Sequence, residues 1–369
     1  MITLLIKLAE RGLLPDALIR YGIKRLCAKR LADVTDKSEG EMEKEHAEWI
    51  DILKNSPIAL VPEKANEQHY EVPPKLFELV LGKRLKYSSG LWPEGVSSLD
   101  QSESAMLELT SERAELVDGQ DILELGCGWG SLTLYMAEHF PKSKITAVSN
   151  SNDQRQFIEA RCRQLKLDNV RVITADMNDF EAEGLFDRVV SIEMFEHMRN
   201  YEKLLGRVNM WLKKEGKLFV HIFSHQKVAY PFEDNDDADW MAREFFSGGQ
   251  MPSHSLLMSF PEQMKIEKDW RVSGTHYEKT SLAWLQKMDK NKVEVLELFK
   301  KTYGESHANS WFQRWRIFFM SCEVLFGFDR GSEWGVSHYL FEKPQSVSYT
   351  HLRAHETKAN LVCRLLLEK

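Results

Sequence analysis

The stretch Asp121-Ile-Leu-Glu124-Leu-Gly126-Cys127-Gly128-Trp-Gly130-Ser131-Leu132 decides the fold. A short apolar run ends in three alternating glycines and passes into a helical pattern. Glycine lets a backbone turn tightly and approach a ligand closely. The spacing G-x-G-x-G differs from the G-x-G-x-x-G of dinucleotide sites. Similar runs recur downstream at Lys144–Val148, Val170–Thr174, Phe186–Ile192 and Gly216–Ile222. Helical patterns lie between them over Leu132–His139, Asp153–Leu165 and Tyr201–Leu212. This alternation predicts an α/β fold with a doubly wound, mostly parallel sheet, its strands apolar because both faces are covered.

The organisation follows from that centre. Residues 1–85 read as a helical N-terminal cap, 86–225 as the nucleotide-type core, and 226–330 as a lid insertion rich in aromatics and acids. Residues 331–345 read as the last core strand, with Val336–Phe341 at its heart. Residues 346–369 break the pattern. Val347–Thr357 resembles a translated sequencing adapter, so a non-native tail is expected there, and His351 and His355 are not taken as metal ligands. No metal is expected.

Composition narrows the class. The chain has 369 residues and a formal charge of −7, ordinary for a globular protein and unsuited to neutralising nucleic-acid phosphates. Five cysteines at irregular spacing suit a reducing, cytoplasmic setting rather than a disulfide framework. No run approaches the ~18 apolar residues of a membrane span. Residues 1–34 carry seven Lys/Arg against three acids at near-helical apolar spacing, which suits either packing on the domain or an anionic membrane surface. A homodimer is a further expectation.

Ligands in open α/β sheets sit beyond the carboxyl ends of the strands. There the chain places Gly126 and Gly128, then Asn150 and Gln154, which can bond a ribose, then Asp176 and Met177, which can face an adenine. Glu124 before the glycines has the form typical of S-adenosylmethionine (SAM) sites in class I, Rossmann-like methyltransferases. The fourth strand ends in Glu193-Met194-Phe195-Glu196-His197-Met198, three titratable groups in five residues. Methyl transfer needs in-line alignment, and an amine acceptor must also lose a proton. His197 suits taking it, with Glu193 or Glu196 orienting the ring.

Together with Tyr87-Ser88-Ser89-Gly90, these motifs resemble the SAM-dependent methyltransferases that include cyclopropane fatty acid synthases, mycolic acid cyclopropane synthases and coclaurine N-methyltransferases. The resemblance covers roughly residues 10–343. Glu193–Tyr201 and the lid stretch from Ala229-Tyr230 to Trp240 are similar to the N-methyltransferase branch. It implies a SAM-dependent N-methyltransferase acting on a small cyclic or aromatic amine. Glu193, Glu196 and His197 would be catalytic, and Tyr87, Ser88, Gly126, Gly128, Asn150, Gln154, Asp176 and Met177 would hold SAM. His221, Tyr230, Asp239, Trp240 and Trp315 are the expected substrate residues. His221 stands where plant relatives carry Glu.

The alternative is a cyclopropane-fatty-acyl-phospholipid synthase-like enzyme acting on unsaturated acyl chains. That branch holds a bicarbonate with a Cys, a Glu, a His and a Tyr. Glu196 and His221 match, Ser89 stands in the Cys position, and no tyrosine is expected near the Tyr position at Ile317–Phe318. A SAM-binding scaffold without turnover is a third reading, opposed by the intact Glu193–His197 cluster.

Overall fold

The computed structural model describes residues 2–60, 73–235 and 239–344. Its centre is β1 (Asp121–Leu125), in which Ile122, Leu123, Glu124 and Leu125 are all buried. With β2 (Lys144–Ser149), β3 (Val170–Thr174), β4 (Phe186–Ile192) and β5 (Leu212–His225) it forms a parallel array. The connections run through helices 131–139, 152–165 and 201–211. A small two-stranded ribbon pairs β6 (Tyr230–Pro231) with β7 (Gln250–Met251). The chain then adds β8 (Lys265–Val272) and β9 (Trp334–Glu342), and the seven-stranded order is β3-β2-β1-β4-β5-β9-β8. Strand β9 runs antiparallel between β5 and β8. The order reverses between β1 and β4, and that switch point is where a crevice opens in such sheets.

One boundary expectation is corrected here. Strand β8 falls within 226–330, the interval expected to be wholly lid, yet it closes the core sheet. Its sequence Lys-Ile-Glu-Lys-Asp-Trp-Arg-Val buries only Val272, as an edge strand exposed along one side does. That polarity hid it from a reading tuned to doubly covered strands.

The rest of 226–330 is largely helical, with helices at 274–290, 292–303 and 305–327. The longest buries Phe312, Trp315, Phe318, Phe319 and Phe326 in one aromatic core with Phe77 and Trp284. Helices 2–10 and 16–35 dock on it. Arg20 reaches Glu323 at 2.7 Å, Arg314 reaches Glu10 at 3.0 Å, and Arg316 reaches Asp16 at 2.7 Å. The first 35 residues therefore pack on the lid helices through ion pairs as well as buried Ala9, Ile19 and Cys27. Among the described residues no helix is long and apolar enough to cross a membrane. The expected tail lies outside the described residues.

Candidate active site

Three glycines shape the turn after β1, each with positive φ: +78° at Gly126, +52° at Gly128 and +81° at Gly130. A Cβ on Gly126 would lie 2.7 Å from Met194 Cβ, and one on Gly130 would lie 2.7 Å from Ile158 Cγ1. Those two are fixed by packing. A Cβ on Gly128 would meet nothing within 4 Å, because its face opens on a cleft. The N–H groups of Gly126 and Cys127 both donate to the Val148 carbonyl at 3.0 Å, tying the turn to β2.

Two clefts flank this turn. One, of about 750 Å³, is lined by Gly126, Gly128, Asn150, Gln154, Asp176, Met177, Glu193 and His197, among others. The other, of about 600 Å³, is lined by Lys86, Tyr87, Ser88, Glu124, Gly128, Trp129 and Glu193, among others. All eight residues expected to hold the cofactor stand on these walls. The donor set fits a nucleoside joined to an amino acid. Gln154 accepts from Ser149 Oγ at 2.6 Å, while its buried Nε2 has no protein partner and is open to a ribose hydroxyl. Asp176 uses Oδ1 to accept the Asn178 N–H at 2.8 Å. Glu124 is buried, accepts from Thr133 Oγ1 at 2.5 Å, and is pushed up to about 8 by burial. Lys86 is buried beside Ser88 Oγ, to which it donates, and burial draws it down to about 8 against the charges of Glu193 and Glu103.

The cluster after β4 begins with strained backbone. Glu193 has φ +47°, a conformation costing about 1–3 kcal/mol in a residue with a side chain. Its N–H is held by the His221 carbonyl at 2.8 Å. Its carboxylate is gripped by three donors. Oε1 accepts from the Ser89 N–H at 3.3 Å and from His221 Nε2 at 3.2 Å, and Oε2 accepts from the Tyr277 hydroxyl at 2.7 Å. Burial raises the Glu193 pKa, while Lys86, Tyr277, Ser89 and His197 favour the ionised form.

His197 reaches the same cleft, with its ring stacked near Phe246 at 6.0 Å between centroids. Burial takes its pKa down to about 4, opposed by the Glu193 charge, so the imidazole is neutral at physiological pH. Glu196 is different. It is buried, its Oε2 has no protein partner, and burial followed by the Glu193 charge drives its pKa well up. It is not among the residues lining either cleft. The structure brings Glu193 and His197 to the cleft and sets Glu196 behind them as a neutral acid.

The expected substrate residues divide in the same way. His221 is wholly buried and bonded to Glu193. Tyr230 accepts from Trp334 Nε1 at 3.0 Å, Asp239 accepts from Arg30 at 3.1 Å, and Trp240 donates to Glu10 at 3.0 Å. Trp315 is buried among Phe77, Tyr87, Phe245 and Phe318. None of these five lines either cleft. Tyr230, Asp239 and Trp240 lie along the seam between lid and N-terminal helices, where Arg30 and Glu10 meet them, and Trp315 lies in the aromatic core of the lid. Tyr277 and Lys86 escaped the sequence reading. Only its place in a helical run, Gly274–Lys290, marks Tyr277 in the sequence, and that is no signal of function.

With this geometry in view, the chain can be set beside known proteins. Residues 61–331 match the family model described as mycolic acid cyclopropane synthetase. (S)-coclaurine N-methyltransferase of Papaver somniferum is 37% identical over 342 residues, covering 92% of this chain and 97% of that protein. Pavine N-methyltransferase of Thalictrum flavum subsp. glaucum is 35% identical over 342 residues, covering 92% and 96%. A solved structure of coclaurine N-methyltransferase bound to N-methylheliamine and SAH matches with a TM-score of 0.89 and 36% identity, covering 92% of this chain and 99% of that one.

Proposed function

The chain belongs to the mycolic acid cyclopropane synthetase family, and we infer that it is a SAM-dependent N-methyltransferase whose acceptor is a small cyclic or aromatic amine. When bound, SAM supplies a methyl group on a positively charged sulfur. Gly126, Gly128, Asn150, Gln154, Asp176 and Met177 would hold its nucleoside side, and Tyr87, Ser88, Glu124 and Lys86 its amino-acid side.

The chain's own residues then do three things. Glu193 keeps a carboxylate at the junction of the two clefts, which attracts a cationic amine and fixes its nitrogen. His197, held neutral, has a lone pair for the proton that the nitrogen gives up. The Glu193 charge then steadies the imidazolium that forms, as its upward pull on the His197 pKa indicates. Phe246 stacked on His197 suits a flat, apolar acceptor body.

One observation carries the choice of amine over lipid. The Ser89 N–H, His221 and Tyr277 all spend their hydrogen bonds on the Glu193 carboxylate. Such donors would be needed to seat the free bicarbonate of the cyclopropane branch, and here the chain's own anion takes them. The test is incubation with methyl-labelled SAM in two arms, cyclic secondary amines and unsaturated phospholipid vesicles. Label in the amine arm supports the reading, and label in the acyl chains overturns it.

A cytoplasmic setting belongs to the same reading, supported by the buried free thiols Cys27, Cys127, Cys162 and Cys322. Contact of residues 1–34 with an anionic membrane surface is supported by exposed Leu4, Leu5, Leu13, Leu18 and Tyr21 beside Arg11, Lys24 and Arg25. A second copy of the chain would cover the same apolar side chains. Co-sedimentation with anionic vesicles, read against sedimentation velocity, separates the two.

A further inference from the structure

A row of side chains runs across four strands of the sheet. Register pairs Ile192 with His221, His221 with His338, and His338 with Trp270. Three strand spacings at about 4.8 Å make the row roughly 14 Å long. Arg113, the last residue of helix 99–113, lays its guanidinium over the Trp270 ring at 4.8 Å from the centroid. From there hydrogen bonds run without a break to the cluster. Arg113 Nη1 lies 2.8 Å from His338 Nδ1, His338 Nε2 lies 2.9 Å from His221 Nδ1, and His221 Nε2 lies 3.2 Å from Glu193 Oε1.

The direction of this chain is set at its outer end. A guanidinium has donors and no acceptor. His338 Nδ1 must therefore accept, which places the His338 proton on Nε2. That proton is given to His221 Nδ1, which must accept in turn, so His221 carries its own proton on Nε2, facing Glu193. Both rings are fully buried, and burial together with the Arg113 charge pushes both well below the ordinary imidazole range. Both are neutral, and each has one tautomer open to it.

We propose that Arg113 and His338 are positioning residues for methyl transfer, holding His221 as the Nε2–H tautomer so that it always donates to the Glu193 carboxylate. His221 then presents no lone pair to the reacting centre, and it leaves His197 as the imidazole able to take a proton. The polarity also matters for Glu193 itself. Lys86, Tyr277 and His197 face this carboxylate from other elements and favour its charge, while Glu196, kept protonated by burial and by that charge, and Cys322 lie within its field. Loss of Arg113 removes the constraint on His338 Nδ1, which the Glu193 carboxylate, acting only on His221 Nε2, does not supply. His338 could then move its proton to Nδ1, His221 could reverse, and a lone pair would be aimed at the carboxylate.

This inference rests on the reading that Glu193 acts in methyl transfer, but its first readout does not. Nitrogen-15 NMR of histidine-labelled full-length protein reports which ring nitrogen carries each proton. Both His221 and His338 are expected as Nε2–H in the unaltered protein. Arg113→Met is expected to populate the Nδ1–H form at one or both, and Arg113→Lys, which keeps a donor without an acceptor, to restore Nε2–H. With a cyclic amine, Arg113→Met should lower kcat by about tenfold, below the ~10²–10⁴ of a group that itself moves protons. It should also shift the acidic limb of the kcat/KM profile upward, and Arg113→Lys should reverse both effects. An Nδ1–H tautomer at either histidine in the unaltered protein overturns the proposal. So does Arg113→Met protein that folds with both tautomers unchanged. Absence of amine turnover with the expected tautomers would instead count against the N-methyltransferase reading alone.

Discussion

Tyr277→Phe removes a single donor from Glu193 and nothing else of size. The hydroxyl lies 2.7 Å from Oε2, and it stays a phenol because burial and the Glu193 charge push its pKa well up. A hydrogen bond to a charged group contributes about 1.5–3 kcal/mol. At about 1.36 kcal/mol per pH unit, losing it raises the Glu193 pKa by roughly 1–2 units. Glu193 already sits above the usual carboxylate range through burial, so the shift carries it toward neutrality. The assay is kcat/KM for one cyclic amine across pH, expressed as the ratio of variant to unaltered enzyme. The acceptor's own ionisation cancels in that ratio. The ratio should be near unity on the alkaline side and fall about 10- to 100-fold on the acid side. A ratio that stays flat across the whole range refutes the claim that an ionised Glu193 is required.

Four further outcomes follow from the same structure. Glu196 is held neutral, so Glu196→Gln should keep kcat within a few-fold while Glu196→Ala loses ~10²-fold, compared by steady-state turnover. Glu124 is held at about 8 against an ordinary 4.5, so the folded chain keeps a proton that the unfolded chain releases between those values. Stability therefore falls as pH rises through that window, and Glu124→Gln should flatten the slope in denaturant midpoints measured from pH 5 to 8. Gly126→Ala drives a methyl to 2.7 Å from Met194 Cβ at positive φ, and should cost about 1–3 kcal/mol in denaturant unfolding. Gly128→Ala meets open space but puts a side chain at φ +52°, so it should cost about 1–2 kcal/mol in denaturant unfolding and weaken S-adenosylhomocysteine binding by calorimetry.

The residues legible in the sequence were those whose chemistry is local. Strand β1 carries its bounds in the chain itself, because an apolar run covered on both faces stops where the turn begins, while β3, an edge strand with only Val172 buried, is legible from its β-branched residues. Gly126, Gly128, Asn150, Gln154 and Asp176 are legible for the same reason, each lying just past a strand end. Strand β8 was hidden by its polar edge composition. Tyr277, Lys86, His338 and Arg113 were hidden by distance. They converge on Glu193 from a helix, a loop, a strand and another helix, and only the sheet register and the lid packing bring them together. A Trp in an acidic mouth and a Trp in a seam have the same sequence signature, and the hydrogen bond from Trp240 to Glu10 could not be read from the chain.

The most direct test of the account is methyl transfer from labelled SAM to a cyclic secondary amine, run side by side with unaltered, Glu193→Gln and His197→Ala proteins. Labelled amine is expected from the unaltered enzyme, with a loss of about 10²-fold or more in kcat for each variant. Undiminished labelling by either variant would contradict the account.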